Sequence, residues 1–191
     1  MTAQQEHIYQ VKVTLTGSSP PIWRRLLVPG RISLAQLHDV LQIAMGWTDS
    51  HMHQFEKNGR LFRMPLHDWD FEPVLDECST RLNKLLRREK DWLRYEYDFG
   101  DGWEHRVTLE KVLPFDPAIA TPICIKAKGA CPPEDIGGLW GYYAALEAWN
   151  DPAHPDHAEY REMYDRDTLF PGSPDVAEVN GLLSTCFEQA A

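Results

Sequence analysis

The sequence predicts an α+β domain with a mainly antiparallel sheet built from hairpins, packed by a helix of the N-terminal half and a helical C-terminal third. Three observations favour this class. Residues 1–129 show alternating apolar residues and turn dipeptides, residues 130–191 show helical spacing, and the strands precede the helices instead of alternating with them. We expect a single domain over residues 1–191, strand-rich to residue 129 and acidic and helical from residue 130.

The first strands and the first helix have strong local signals. Residues 8–15 alternate between apolar and polar side chains, and residues 22–28 form a second apolar run. Ser33 and Gln36 have the spacing of a capping box, in which each side chain satisfies a free backbone N–H of the other residue. Apolar residues follow at helical spacing until Gly46, which is typical of a helix C-cap. The sequence therefore predicts two strands followed by a helix.

Two further hairpins are predicted from their turns. Residues 51–64 contain an Asn58-Gly59 pair, which favours a type I′ turn. Residues 92–99 and 103–113 flank the loop Gly100–Gly102, whose glycines tolerate the positive φ of a tight hairpin. We therefore expect four strands in this region.

The remaining segments divide into one irregular stretch and several helices. Residues 65–77 are polar and irregular, and a short helix is expected over residues 79–88. An apolar stripe over residues 139–149 predicts a long helix, and a more polar helix is expected over residues 156–165. Ser173 followed by Pro174 predicts the N-cap of the last helix.

The composition and charge limit the class of function. The chain has 191 residues, 43% hydrophobic residues and a net charge of −10. Residues 1–129 hold 17 acidic and 17 basic side chains, so the acidic excess lies in the last third, where we expect any basic partner to dock. A basic cluster at residues 81–94 is typical of a solvated surface, so nucleic acid is a less expected partner.

The first residues, the apolar runs and the cysteines predict a cytoplasmic protein. The first ten residues lack the basic and apolar regions of a signal peptide, and no apolar run is long enough to cross a membrane. The four cysteines do not form a disulfide framework, because none lies in a Cys-x-x-Cys pair.

Three long motifs, together with Trp23-Arg24-Arg25, resemble a known bacterial family. The motifs are Gly46-Trp-Thr-Asp-Ser-His-Met-His-Gln-Phe55, Tyr97-Asp-Phe-Gly-Asp-Gly-Trp-Glu-His105 and Ala130-Cys-Pro-Pro-Glu-Asp-Ile-Gly-Gly138. They are similar to the plasmid pRi ORF-3-like family, also called TnpR-type insertion-element passenger proteins. The resemblance implies a cytoplasmic α+β domain found on plasmids and beside mobile elements. The sequence contains no serine- or tyrosine-recombinase site that would support a resolvase activity.

Histidines and aspartates in the first two motifs suggest a metal site. If the two hairpins pack together, His51, His53 and His105 converge, and three imidazoles with a water make an open metal site. Buried histidines that bond to backbone or carboxylate groups are the commoner alternative. Asp98 and Asp101 flank the glycine turn and are candidates for binding a metal or for acid–base chemistry. The structural alternative is that Asp101 stabilises the turn by a hydrogen bond to its own backbone.

The third motif allows a functional and a structural interpretation. Cys131 is a candidate nucleophile with Glu134 or His105 nearby, or a soft metal ligand with Cys124. The favoured alternative is that Asp135 caps the helix that begins at Gly138. Trp47 and Trp103 are candidates for lining a ligand groove, although aromatic residues at such spacing more often belong to the core.

The function expected from these patterns is a non-catalytic binding or adaptor domain that contacts a protein or a small ligand. One alternative is a metal-dependent enzyme, hydrolase-like, that uses the His/Asp cluster, and a second is a DNA recombination accessory protein. No cofactor is predicted, although the cluster allows a divalent metal. We expect the three motifs to converge on one concave site. Its candidate ligand-binding residues are Trp47, His51, His53, Asp98, Asp101, Trp103, His105, Cys131, Glu134 and Asp135.

Overall fold

The structure is a computed structural model that describes residues 7–65, 73–117, 119, 121–169 and 172–188. Its strands are β1 (His7–Leu15), β2 (Trp23–Pro29), β3 (His53–Lys57), β4 (Arg60–Arg63), β5 (Val74–Asp76), β6 (Trp92–Tyr97), β7 (Trp103–Pro114) and β8 (Ile123–Lys128). Its helices are α1 (Leu34–Met45), α2 (Leu82–Leu85), α3 (Gly138–Asn150), α4 (His157–Met163), α5 (Arg166–Leu169) and α6 (Val176–Glu188).

The strands form one mainly antiparallel sheet. Within the described residues it has eight strands in the order β5-β4-β3-β6-β7-β1-β2-β8. Every neighbouring pair is antiparallel except β4 and β5, which are parallel. The predicted α+β class with a mainly antiparallel sheet is therefore confirmed.

Helix α1 begins and ends as its sequence signals predict. The Ser33 side chain accepts from the backbone N–H of Gln36, and the Gln36 side chain accepts from the backbone N–H of Ser33. Gly46 ends the helix with φ 100°, in the left-handed region that glycine adopts without strain. The apolar face of α1 is buried in the continuous core.

The core gathers aromatic residues from the central strands. Tyr95 and Tyr97 of β6 and Trp103 of β7 are fully buried, and Trp47 packs its ring 5.7 Å from that of Trp103. Because β6 and β7 are central in the sheet, these rings position the first and second motifs against each other. Helix α6 contacts both α1 and β8.

Two strands and several helix ends differ from the expectations. β5 lies in the stretch expected to be irregular, and β8 was not predicted because only its pairing with β2 defines it. The helix expected over residues 79–88 is only α2, because Arg81 is extended and forms a bridge with Ser33. The last helix begins at Val176, where Asp175, not Ser173, accepts from a first-turn N–H.

Among the described residues, none of the helices combines the length and the apolar composition needed to cross a membrane.

Candidate functional site

The first and third motifs are joined directly by hydrogen bonds. The indole Nε1 of Trp47 donates to the carbonyl of Pro132 at 3.1 Å. The Glu134 carboxylate accepts from the backbone N–H of Thr48 at 3.2 Å and from its hydroxyl at 2.6 Å. The loop after α1 is therefore held against the Cys-Pro-Pro-Glu turn.

The second motif is joined to the third at two points. The Tyr97 hydroxyl donates to Glu134, and the Asp101 carboxylate accepts from the backbone N–H of Gly137 at 3.2 Å. Gly138 makes the approach feasible, since a Cβ at this position would lie 2.3 Å from the Asp101 carbonyl oxygen. The structure thus brings the three motifs together.

The roles of the aspartates differ from those expected. Asp98, not Asp101, stabilises the glycine turn, because its carboxylate accepts from the Gly100 N–H at 2.9 Å. Its own φ is 55°, a conformation that Asp tolerates better than most residues. Asp135 does not cap α3, because the N-cap residue is Gly137, which has no side chain. The backbone N–H of Gly137 donates to the Asp101 carboxylate.

His51 lies between two carboxylates of different motifs. Its Nε2 is 3.3 Å from an Asp135 oxygen and 3.7 Å from an Asp98 oxygen. One ligand atom from each of the three side chains falls within 4.8 Å of the others. Asp98 is buried and Asp135 is exposed, so this group lies at the surface of the motif junction.

His53 belongs to a second and more enclosed group with His38 and Asp49. The possible ligand atoms of these three side chains also lie within 4.8 Å of one another. His38 Nε2 is 2.8 Å from an Asp49 oxygen, and His53 Nε2 is 2.8 Å from an oxygen of Glu77. The two imidazole rings stack with their centroids 3.4 Å apart, and the Glu77 side chain is only 3% exposed.

The imidazole of His38 is held by a polar network on its inner side. Its Nδ1 is 2.8 Å from the Tyr95 hydroxyl, to which the Gln42 amide also donates. The Gln42 carbonyl oxygen accepts from the backbone N–H of Asp49. Burial, and secondarily the neighbouring His53, lower the pKa of His38, which keeps the ring neutral. A neutral imidazole with one oriented nitrogen is the form that binds metals.

Sequence reasoning identified His53 but missed His38, Asp49 and Glu77. The spacing of His38 could have identified it. His38 lies four residues after Leu34 and three before Leu41, which places it on the buried face of α1. A histidine on such a stripe needs a polar partner inside the protein. Glu77 carried no comparable signal, since it follows a stretch that the sequence marks only as polar.

His105 does not join the other two candidate metal ligands. It is 1% exposed, and its Nδ1 lies 3.0 Å from the Trp103 carbonyl oxygen. Its ring is nearly perpendicular to that of Trp47 and tilted against that of Tyr95, and within the described residues it belongs to neither converging group of ligand atoms. The expected site of three imidazoles is therefore wrong, because the His105 side chain points from β7 into the core.

We expect His105 to make the protein less stable in acid. Burial lowers the pKa of His105 to about 3, whereas an unfolded histidine titrates near about 6.5. Below that pH the unfolded chain binds a proton that the folded chain excludes, so stability falls as the pH drops from about 6.5 towards 3. At pH 5 the titration of this residue should lower the free energy of unfolding by about 2 kcal/mol.

Urea unfolding at pH 7.5 and pH 5.0, in EDTA, measures this effect. In His105→Asn the side chain keeps a donor for the Trp103 carbonyl but does not titrate in this range. The wild type should lose about 2 kcal/mol more than the variant between the two pH values. Equal losses in both proteins would show that His105 is not the responsible group.

Among the described residues, Cys124 and Cys131 do not converge with other possible metal ligands. Burial raises the pKa of the Cys131 thiol well above its usual range, which suppresses the reactive thiolate. Cys124 is buried on β8, and neither thiol belongs to a converging ligand group in the described part of the chain. Trp47 and Trp103 are both core residues, although Trp47 also forms a wall of the cavity beside the third motif.

Comparisons with known proteins agree on one family. The family model described as plasmid pRiA4b ORF-3-like protein matches residues 7–178. The chain is 42% identical over 157 residues to the uncharacterised protein y4hQ of Sinorhizobium fredii (strain NBRC 101917 / NGR234), covering 81% of this chain and 79% of that protein. A crystal structure of the protein of unknown function MM3350 from Methanosarcina mazei Go1 superposes with a TM-score of 0.78 at 33% identity, covering 92% of this chain and 98% of that one. This chain therefore belongs to the plasmid pRiA4b ORF-3-like protein family.

Proposed function

We propose that the protein is a ligand-binding domain organised around a divalent metal ion, held by His38, Asp49 and His53 with Glu77 beside them. The observation that carries this proposal is the convergence of three ligand atoms within 4.8 Å, from α1, from the loop after it and from β3. Three consecutive segments of the chain therefore supply nitrogen and oxygen ligands of the type that metals prefer. The TnpR-type association with mobile elements remains part of the same proposal, as the setting in which the domain works.

The donor set favours a transition metal over magnesium or calcium. Two imidazole nitrogens with one or two carboxylate oxygens are typical of zinc and of ferrous or manganous ions. Magnesium and calcium instead favour oxygen ligands alone. If Nδ1 of His38 donates its proton to the Tyr95 oxygen, Nε2 is left as the ligand atom. Metal-binding histidines are commonly oriented in this way, by a hydrogen bond from the ring nitrogen that does not bind the metal.

The exposure of one ligand favours a metal-dependent hydrolase as the second candidate. The Asp49 side chain is 57% exposed, whereas those of His38 and Glu77 are buried. A metal held there has an open side at which a water or a substrate group binds, which is what separates catalytic from structural zinc sites. Zinc-dependent hydrolysis of p-nitrophenyl acetate that His53→Gln abolishes would support this candidate over a binding domain.

Metal analysis and zinc titration test the proposal. We expect tag-free protein to bind about one equivalent of zinc, and His53→Gln to weaken that binding by at least about 100-fold. Glutamine keeps a donor for Glu77 and a similar volume, so the loss reports on the metal ligand. Isothermal titration calorimetry measures both affinities.

The matched control is His7→Ala, which removes an exposed histidine at the start of β1. Its zinc affinity should equal that of the wild type. If the wild type binds no zinc, manganese or iron in stoichiometric amount, or if both variants lose affinity equally, the metal-centred function is wrong.

A further inference from the structure

Arg24 is a fully buried cation near the start of β2. Its Nε donates to the Ala44 carbonyl at 2.6 Å, at the C-terminal end of α1. Its Nη1 donates to the carbonyls of Trp23, Lys128 and Gly129 at 2.9 to 3.3 Å. The guanidinium therefore joins β2, α1 and the end of β8 through backbone oxygens alone.

The third nitrogen of this guanidinium has no partner. Nη2 of Arg24 is buried and makes no hydrogen bond, and no carboxylate of the described residues forms an ion pair with Arg24. An unpaired buried cation is among the costlier features of a folded protein, because it has lost its water without gaining an opposite charge.

The neighbouring groups do not supply the missing negative charge. Burial raises the pKa of both Cys124 and Cys131, so the two thiols nearest the guanidinium stay neutral. The carbonyl end of α1 contributes only a partial charge. The positive charge of Arg24 also contributes to lowering the pKa of His105, as an unneutralised cation would.

Arg24 lines an open cavity of about 340 Å³ between the first and third motifs. Its walls include Met45, Trp47, Cys131, Pro132 and Pro174, which are largely apolar. Glu134 also lines it, but the carboxylate of Glu134 is occupied by Thr48 and Tyr97. A buried donor without a partner, on a residue that lines a largely apolar cavity of this size, is typical of a small-ligand site.

We propose that this cavity binds a small monocarboxylate with an apolar body, whose carboxylate accepts from Nη2 of Arg24. Only one guanidinium nitrogen is free, so the bidentate grip that favours phosphate is not available. The nearby Glu134 charge further disfavours multiply charged anions. The apolar walls, which include Trp47, contact the body of the ligand.

Calorimetric titration with benzoate and with benzamide tests the charge requirement. The two probes have nearly the same shape, but only benzoate supplies a negative charge. We expect benzoate to bind with a dissociation constant of about 1 mM or lower and at least about 10-fold more tightly than benzamide. Equal affinity, no benzoate binding at about 10 mM, or tighter binding of inorganic phosphate than of benzoate would each overturn the proposal.

A pair of glycine substitutions locates the site without touching Arg24, whose removal endangers folding. Gly172 lines the cavity and Gly181 lies on α6 outside it, and a Cβ at either position meets nothing within 4 Å. We expect Gly172→Leu to weaken benzoate binding at least about 10-fold and Gly181→Leu to leave it unchanged. Equal affinities in both variants would place the benzoate elsewhere and overturn the assignment.

The same titration separates this site from the proposed metal centre. It is performed on EDTA-treated protein, because a carboxylate also binds metal ions. His53→Gln should bind benzoate as the wild type does, since His53 does not line the cavity. Loss of benzoate binding in this variant would contradict the cavity assignment, whereas a failure of zinc binding alone would leave it intact.

Discussion

Zinc at one hundred times its dissociation constant is expected to raise the free energy of unfolding by about 2.7 kcal/mol. The gain arises because only the folded chain holds His38, Asp49 and His53 together, so the metal binds the native state preferentially. For a domain of this length the melting temperature should rise by about 5–11 °C. Thermal unfolding followed by circular dichroism, with zinc and then with excess EDTA, measures the shift.

Magnesium is the control ion for this experiment. Because it favours oxygen ligands, we expect it to shift the melting temperature by less than about 1 °C at the same concentration. His53→Gln should lose most of the zinc-dependent rise. An equal rise with magnesium, or an undiminished rise in the variant, would show that the stabilisation does not come from the imidazole ligands.

Trp103→Ala should destabilise the protein by about 3–5 kcal/mol. Trp103 is fully buried at the start of β7, where it packs against Trp47 and so supports the loop that carries Asp49 and His51. Removing the indole leaves a large cavity between the sheet and that loop. Chemical denaturation followed by far-UV circular dichroism gives the change in the free energy of unfolding.

Two substitutions bracket the effect of Trp103→Ala. Trp103→Phe keeps most of the ring volume and removes an indole N–H that has no hydrogen-bond partner, so it should cost less than about 1.5 kcal/mol. Trp140 is 85% exposed on α3, and Trp140→Ala should stay within about 0.5 kcal/mol of the wild type. Similar losses in the two tryptophan-to-alanine variants would contradict the assignment of Trp103 as a central packing residue.

Elements with local signals could be predicted from the sequence. α1 has its capping box and C-terminal glycine within fourteen residues, from Ser33 to Gly46, and the Asn58-Gly59 turn defines its own hairpin. β8 could not be predicted, because its sequence Ile-Cys-Ile-Lys-Ala-Lys becomes a strand only through pairing with β2. Short strands that depend on a distant partner carry little information in their own residues.

In the candidate site, too, the sequence identified individual residues but not the contacts between distant parts of the chain. The motifs identified His51, His53 and Asp98 as polar residues beside turns, and the structure places each in a converging group. The grouping itself could not be predicted, because β3 begins only at His53, so His51 lies outside the strand and does not share its alternation. Glu77 reaches His53 across 24 residues of chain, a contact that only the packed sheet defines.

The loop from Trp47 to His53 serves several environments through closely spaced side chains. Trp47 lines the cavity and belongs to the core, Asp49 contacts His38, and His51 lies between the carboxylates of Asp98 and Asp135. A residue inserted or deleted here would displace each following side chain from its partner, so an engineered or natural variant cannot readily change the length of this loop. The Met52 side chain is 55% exposed, so we expect point substitutions there to be tolerated, which makes this position suited for attaching a fluorescent probe.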